Sequence, residues 1–154
     1  MNIRYTSELG PGYRADLESL LFFNPGQGRV RDAIVSIIGA YGIPSLFNEA
    51  GRLRIRLKGG RECQTLFAIA GENPTARLAG IMIYTRTDSA TLLILHLAVA
   101  LEFSARGRFH RQQIALRLIA TLRGLARQIK GVRVVQLIYG ADQPRDIRVQ
   151  PERP

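Results

Sequence analysis

The chain has 154 residues, of which 46% are hydrophobic and 22% charged, and its formal net charge is +10 at pH 7. We expect a single domain over 1–154, because this length suffices for one ordinary core, and no apolar run is long enough to cross a bilayer. A single cysteine, Cys63, excludes an internal disulfide framework and a cysteine-based zinc site. The N-terminus lacks a basic segment leading into an apolar core, so we expect a cytoplasmic protein that does not associate with membranes.

The positive charge comes from 20 Arg and 2 Lys residues against 12 acidic residues. A field of this sign favours polyanions, and arginine binds phosphate groups bidentately. An arginine bias also follows from a GC-rich genome, and a basic surface is often simply a solvated one. No helix-turn-helix, zinc-finger or RNA-binding aromatic motif accompanies the charge, so nucleic-acid binding stays an alternative that is not favoured.

The first part of the chain, 1–50, is expected to be mainly helical. A short strand over 2–6 precedes a glycine-proline turn and a helix over 14–23. A second helix is predicted over 30–41, where apolar residues recur at helical spacing before a glycine and a proline stop the pattern.

The segment 52–100 is predicted to be a meander of strands. The expected strands are 53–57, 65–70, 78–84 and 91–99, the second and third forming a hairpin. The last of them is a nearly continuous apolar run, which is typical of a strand covered on both faces. The element order predicts an α+β fold, or α/β by a looser label, with helices flanking a mixed, mainly antiparallel sheet.

The segment 101–139 is the most informative about function. A loop rich in Arg and Gly follows the strand 91–99, and from Ile114 apolar residues recur along one face of a helix that ends before Gly131. The run 132–139 is predicted to return as a strand parallel to the first. Such a loop presents backbone N–H and guanidinium groups at a helix N-terminus, which predicts a phosphate-binding site.

The stretch 95–119, followed by 131–137, resembles the acyl-CoA-binding core of the GNAT acyltransferases. In that family a strand leads into an Arg/Gln-x-x-Gly-x-Gly/Ala motif, whose amides hold the CoA pyrophosphate at the start of a helix. In one register the run 110–115 overlays this motif and keeps the apolar phase of the helix. Gln113 then stands where the family has a glycine.

In a second register the run 99–107 resembles the family's Val-x-Pro-Glu-Tyr-Arg-x-Arg-Gly, with Leu101 in place of the proline. Phe109, two residues after this run, stands in place of the final glycine of the family's motif. Both registers stay open, since a longer loop accommodates both. The resemblance implies acetyl-CoA or another acyl-CoA as cosubstrate, an unidentified amine as acceptor, and no metal. The residues that it places at the CoA are Leu97, Val99, Arg106, Gly107, Arg108, His110, Arg111, Gln112, Gln113, Ile114 and Ala115.

Three residues are candidates for the chemistry, and each has a structural alternative. His96 lies in the strand near the expected thioester position, as a general base titrating near neutrality or as a packed core histidine. Glu102 is a candidate for the same role through water, or an ion-pair partner of Arg106 or Arg108. Tyr139 ends the next strand, where it either protonates the departing thiolate or packs.

Positioning alone supplies much of the acceleration of thioester aminolysis. In the family a splay between two strands frees oxyanion-binding N–H groups, and the resemblance places that splay between 97–99 and 135–137. The tail 140–154 is too short for the family's final helix and hairpin and supplies one short strand near 146–150. We therefore expect a two-fold homodimer in which the tail covers the partner's sheet edge. Two functions stay open: an N-acetyltransferase, and a non-catalytic acyl-CoA-binding or assembly module.

Overall fold

The computed structural model describes residues 1–22, 44–57, 63–137 and 145–149. The elements are β1 Ile3–Thr6, α1 Arg14–Phe22, β2 Pro44–Glu49, β3 Arg52–Leu57, β4 Gln64–Ala70, β5 Arg77–Arg86, β6 Thr91–Val99, α2 Ile114–Ala126, β7 Val134–Leu137 and β8 Arg145–Arg148. Short 3-10 turns lie at Pro11–Tyr13, Leu101–Phe103 and His110–Gln112. The helix expected over 30–41 lies outside the described residues. Among the helices that are described, none is both long and apolar enough to span a membrane.

Six strands form one sheet in the order β1-β4-β5-β6-β7-β8. Neighbouring strands are antiparallel except β6 and β7, which are parallel because α2 carries the chain back to the start of β6. The predicted α+β class, the mainly antiparallel sheet and the strand-loop-helix-strand unit are therefore confirmed. The division of the whole chain into a single domain stays a prediction.

The two faces of the sheet build two separate cores, because side chains alternate along each strand. One face packs against α1, with Leu17 of the helix and Ile83 of β5 among the buried residues. The other face packs against α2, with Leu118 of the helix and Met82 of β5 among the buried residues. We call these the α1-side core and the α2-side core. Helices thus flank the sheet on both faces, as expected from the sequence.

Strands β2 and β3 form a hairpin of their own, separate from the main sheet. The sequence patterns do not predict β2, and they place β3 in the meander; the structure corrects both points. The turn residues Ala50 and Gly51 both have positive φ, 51° and 75°, which suits a two-residue hairpin turn, but Ala-Gly is a weaker signal than Asn-Gly. Alternate apolar residues of β3, such as Ile55, are buried in the α1-side core, so the hairpin covers that face of the sheet.

Candidate functional site

A bulge in β6 decides which face each candidate residue occupies. In the pairing of β5 with β6, Leu95 is an extra residue, so the register shifts there. Beyond the bulge His96 is paired with Ile83, whose side chain belongs to the α1-side core. Leu97 is paired with Met82, which belongs to the α2-side core. Because directly opposed residues of an antiparallel pair share a face, His96 and Leu97 lie on opposite faces of the sheet.

The chain between β6 and α2 is a hydrogen-bonded loop over 100–113. Phe103 is buried, and its ring stacks on that of Phe109 with the centroids 5.2 Å apart. The backbone N–H of Phe109 donates to the carbonyl of Glu102 at 2.7 Å, and the N–H of Gly107 donates to the carbonyl of Ser104 at 2.9 Å. These contacts tie the second half of the loop to the first, so its arginine side chains extend from a defined backbone.

Gly107 is required by the packing of this loop. A Cβ at this position would overlap the carbonyl oxygens of Leu101 and Glu102. The carbonyl of Gly107 also lies 3.0 Å from Nδ1 of His110, so in the neutral imidazole Nδ1 is the donor and Nε2 is left as an acceptor. Close backbone approach within the loop thus accounts for the glycine that the second register matches to the family motif.

Gln113 stands immediately before α2 and has a left-handed backbone, with φ 50° and ψ 49°. This region favours glycine, because a side chain crowds the backbone there. The first register aligns Gln113 with a glycine of the family. The backbone conformation observed at Gln113 is one that glycine favours, so the structure agrees with this register. Gln113 makes no side-chain cap, and the first turn of α2 has no acidic residue. The N-terminal N–H groups and the positive end of the helix dipole therefore meet no carboxylate from the helix itself.

The start of α2 lies close against the sheet because β5 carries Gly80. A Cβ at Gly80 would lie 2.8 Å from Cγ2 of Ile114 and 3.2 Å from Cδ1 of Leu118. Both helix residues are buried in the α2-side core. Gly80 is paired with Val99, the last residue of β6. The helix N-terminus, the end of β6 and the loop are thereby brought together.

This meeting point is the candidate site, and it gathers most of the residues predicted to contact CoA. Leu97 and Val99 of β6 pack against the α2-side core, and Arg106, Arg108, His110, Arg111 and Gln113 are exposed in the loop. Ile114 is buried, so it and the half-buried Ala115 offer the site their backbone N–H groups. The guanidinium carbon of Arg108 lies 5.3 Å from the centroid of the Phe109 ring, which holds that charge over the loop.

His96 is not placed with this group. It lies on the α1 side of the sheet, opposite α2. Burial lowers the pKa of His96 to about 4, because the imidazolium form loses its hydration there. The imidazole is therefore neutral at pH 7, which favours the packed core histidine over a base that titrates near neutrality.

Glu102 forms an ion pair, but with a different partner from those expected. Its Oε2 lies 2.5 Å from Nη1 of Arg77 at the start of β5, not beside Arg106 or Arg108. The sequence suggested flanking arginines because they are close in the chain, whereas the fold brings Glu102 to the end of the sheet at which the central strand β5 begins. A pocket of about 230 Å³ opens at this pair and is also lined by Asp16 of α1.

Among the described residues, the pairing of β6 with β7 covers the first half of β6. It runs from Thr91 opposite Val134 to Ile94 opposite Leu137. The splay predicted between 97–99 and 135–137 is therefore wrong in register, because the crossover returns the chain to the start of β6. Tyr139 lies outside the described part of the chain.

The described part of the tail forms β8, which pairs with β7 of the same chain. This confirms the short strand expected near 146–150, although it begins at Arg145. Whether a second copy covers a sheet edge stays a prediction.

Two residues that shape the site were not found from the sequence. Gly80 had a readable signal, since a glycine inside an apolar strand often marks a close approach of another element. Arg77 had none, because its contact with Glu102 joins positions 25 residues apart. Within the described residues, no three His, Cys, Asp or Glu side chains converge as a metal site.

Comparison with known proteins found no matching family model and no matching curated protein. A similar solved structure is that of a candidate acetyltransferase of the GNAT family from Desulfovibrio desulfuricans. The two chains are 18% identical, the alignment covers 88% of this chain and 72% of the other, and the TM-score is 0.47. A likeness of this degree does not assign the chain to a family, so a functional proposal depends on the geometry of the loop and of α2.

Proposed function

We propose that the protein binds acetyl-CoA or another acyl-CoA at the N-terminus of α2 and transfers the acyl group to an amine. The observation that carries the proposal is the left-handed Gln113, which directly precedes a helix start without a side-chain cap or an acidic residue. A helix start whose backbone N–H groups meet no cap or carboxylate is suited to binding phosphate. Strands β6 and β7, which precede and follow α2 in the chain, pair in parallel and complete the strand-loop-helix-strand unit.

The pyrophosphate of CoA is the group that this site suits best. Backbone N–H groups in the first turn of α2 have no intrahelical acceptor and are available to phosphate oxygens. Arg106, Arg108 and Arg111 are exposed in the loop that leads into the helix and are the candidates for charge-assisted hydrogen bonds to the phosphates. The pantetheine arm then extends along the end of β6, past Val99 and Leu97, toward the middle of the sheet.

The transfer itself depends on positioning. The neutral amine nitrogen attacks the thioester carbonyl carbon, the C–S bond breaks with its electron pair going to sulfur, and the amine proton passes to solvent or to the thiolate. His96 is too weak a base to take that proton efficiently, since its pKa is about 4.

Calorimetric titration of CoA tests the binding step. We expect Arg111→Glu to weaken CoA binding by about 2 kcal/mol, or about 30-fold, because a charge-assisted contact is replaced by repulsion. Arg4→Glu is the matched control, since Arg4 is exposed on the edge strand β1 and the change in net charge is the same. Unchanged affinity in Arg106→Glu, Arg108→Glu and Arg111→Glu alike would exclude the loop as the CoA site.

Thiol release from acetyl-CoA in the presence of a panel of amines tests the transfer step. We expect turnover with at least one amine, and we expect His96→Gln to change the rate by less than about tenfold, below the usual range for loss of a general base. Measured CoA binding without release in any mixture would instead support the non-catalytic binding module.

The homodimer is a separate proposal. The described sheet ends in β1 and β8, and an exposed edge strand offers backbone groups that a second copy can pair with. Sedimentation velocity at micromolar concentration is expected to show twice the chain mass of 17.1 kDa. A stable monomer at that concentration would contradict the dimer without affecting the CoA proposal.

A further inference from the structure

A basic groove lies at the other end of α2 from the candidate CoA site. Its volume is about 720 Å³, and it is bounded by the end of α2, the turn that leads into β7, and β8. Four cationic residues line it: Arg127, Lys130, Arg133 and Arg148. A helix of 13 residues is about 20 Å long, so the groove and the N-terminus of α2 are separate surfaces.

The backbone that carries these charges is held in place by hydrogen bonds. Nε of Arg127 donates to the carbonyl of Val149 at 2.9 Å, which links the end of α2 to the end of β8. Nη2 of Arg86 donates to the carbonyl of Lys130 at 3.0 Å and fixes the turn after α2. The N–H of Arg133 donates to the carbonyl of Ala90 at 2.8 Å. The walls are thus braced before any ligand arrives.

The lining is unbalanced in charge. Among the eight described lining residues, four are cationic and none carries a carboxylate, although the described chain contains Asp and Glu elsewhere. Asp146, the acidic residue of β8, is hydrogen-bonded to Gln136 and lines a neighbouring groove instead. Helix C-termini do attract cations, but one or two suffice to offset half an elementary charge. The excess therefore points to an anionic ligand.

We propose that this groove binds the phosphodiester backbone of a nucleic acid. The cations come from both walls of the groove. Lys130 lies in the turn after α2, and Arg148 lies on β8, where it is paired with Val134 of β7. Charges spread in this way suit several successive phosphates better than a single phosphate group. None of the eight described lining residues is aromatic, so they offer bases nothing to stack on, and binding is expected to be independent of base sequence. This site would give a function to part of the strong positive charge, whose role the composition alone left open.

Fluorescence anisotropy with a labelled DNA duplex of about 20 base pairs tests the proposal over about 50 to 200 mM salt. The Lys130→Glu, Arg133→Glu double variant is expected to bind at least about tenfold more weakly than the wild type. The slope of log affinity against log salt is expected to fall by about 2, because two phosphate contacts are lost. The matched control is Arg4→Glu, Arg54→Glu, which reverses two exposed charges on β1 and β3 and is expected to lose less than about threefold.

Each alternative outcome is distinct. Equal weakening of duplex binding in both double variants would show that general surface charge accounts for the effect, and it would overturn the proposal that the groove is the binding site. Absence of duplex binding by the wild type at low salt would overturn it too, as would heparin or anionic vesicles binding in the groove more tightly than the duplex. If the glutamate pair fails to fold, Lys130→Ala, Arg133→Ala replaces it, with an expected fall in salt slope of about 2 from the same two contacts. Saturating CoA is expected to leave duplex binding unchanged, so failure of the CoA proposal does not affect this test.

Discussion

Replacing Gln113 by glycine is expected to stabilise the protein, whereas the same substitution at the adjacent Gln112 is expected to destabilise it. Gln113 has φ 50° and is exposed, and its side chain caps nothing. A left-handed backbone costs an L residue roughly 1 to 2 kcal/mol, while glycine adds about 0.5 to 1 kcal/mol of chain entropy to the unfolded state. The net gain at Gln113 is therefore about 0.5 to 1 kcal/mol.

Substitution at Gln112 measures the effect of chain entropy without backbone strain, because Gln112 ends the 3-10 turn His110–Gln112 and is not among the residues with positive φ. Gln112→Gly is thus expected to lose about 0.5 to 1 kcal/mol, and the two variants differ by the backbone strain itself, about 1 to 2 kcal/mol. Urea unfolding followed by circular dichroism measures the difference, provided that the slope against denaturant is unchanged. Equal effects of the two substitutions would refute a left-handed Gln113, and with it the structural basis of the first motif register.

Two further predictions concern the packing of α2 and the burial of His96. Gly80→Ala is expected to lose about 1 to 3 kcal/mol of unfolding free energy, because the new methyl group would lie 2.8 Å from Ile114. Gly124→Ala is its control in open space and is expected to gain about 1 kcal/mol, so a gain in both would contradict the close approach of the helix. As pH falls from about 6.5 to 4, the unfolded chain takes up a proton on His96. The folded chain does not, because desolvation lowers the pKa of His96 to about 4, so stability declines by up to about 3 kcal/mol. Urea midpoints across this range should show a smaller decline in His96→Gln than in the wild type. Identical pH dependence in the two proteins would contradict the desolvation of His96.

Most strands and α2 could be predicted from the sequence because their signals are local. The apolar run Thr91–Val99 gave β6 with both ends correct, and apolar residues at helical spacing gave α2. The hairpin of β2 and β3 was incompletely predicted for the opposite reason. Its turn, Ala50-Gly51, has positive φ at both residues, which the residue type Ala does not predict. Its separation from the main sheet depends on packing against the α1-side core.

The candidate site was predicted in part. The loop and the special position of Gln113 were readable, since a motif fixes spacing along the chain. The face occupied by His96 was not readable, because it depends on the single extra residue at Leu95. A bulge reverses the alternation of all residues that follow, and in a strand that is apolar on both faces no polar pattern records the reversal. A motif therefore locates a phosphate site more reliably than it locates a base in an adjacent buried strand.

The two anion sites proposed on α2 differ in the source of their attraction. At its N-terminus, near Gln113, the helix dipole and the backbone N–H groups favour an anion, and the loop arginines add to them. At its C-terminus the dipole opposes an anion, so the groove depends on the side chains of Arg127, Lys130, Arg133 and Arg148 alone. Salt screens exposed side-chain charges but leaves amide hydrogen bonds largely intact. A rise in ionic strength is therefore expected to release nucleic acid from the groove before it releases CoA from the helix start, and the reverse order would mean that the two sites had been assigned the wrong ligands.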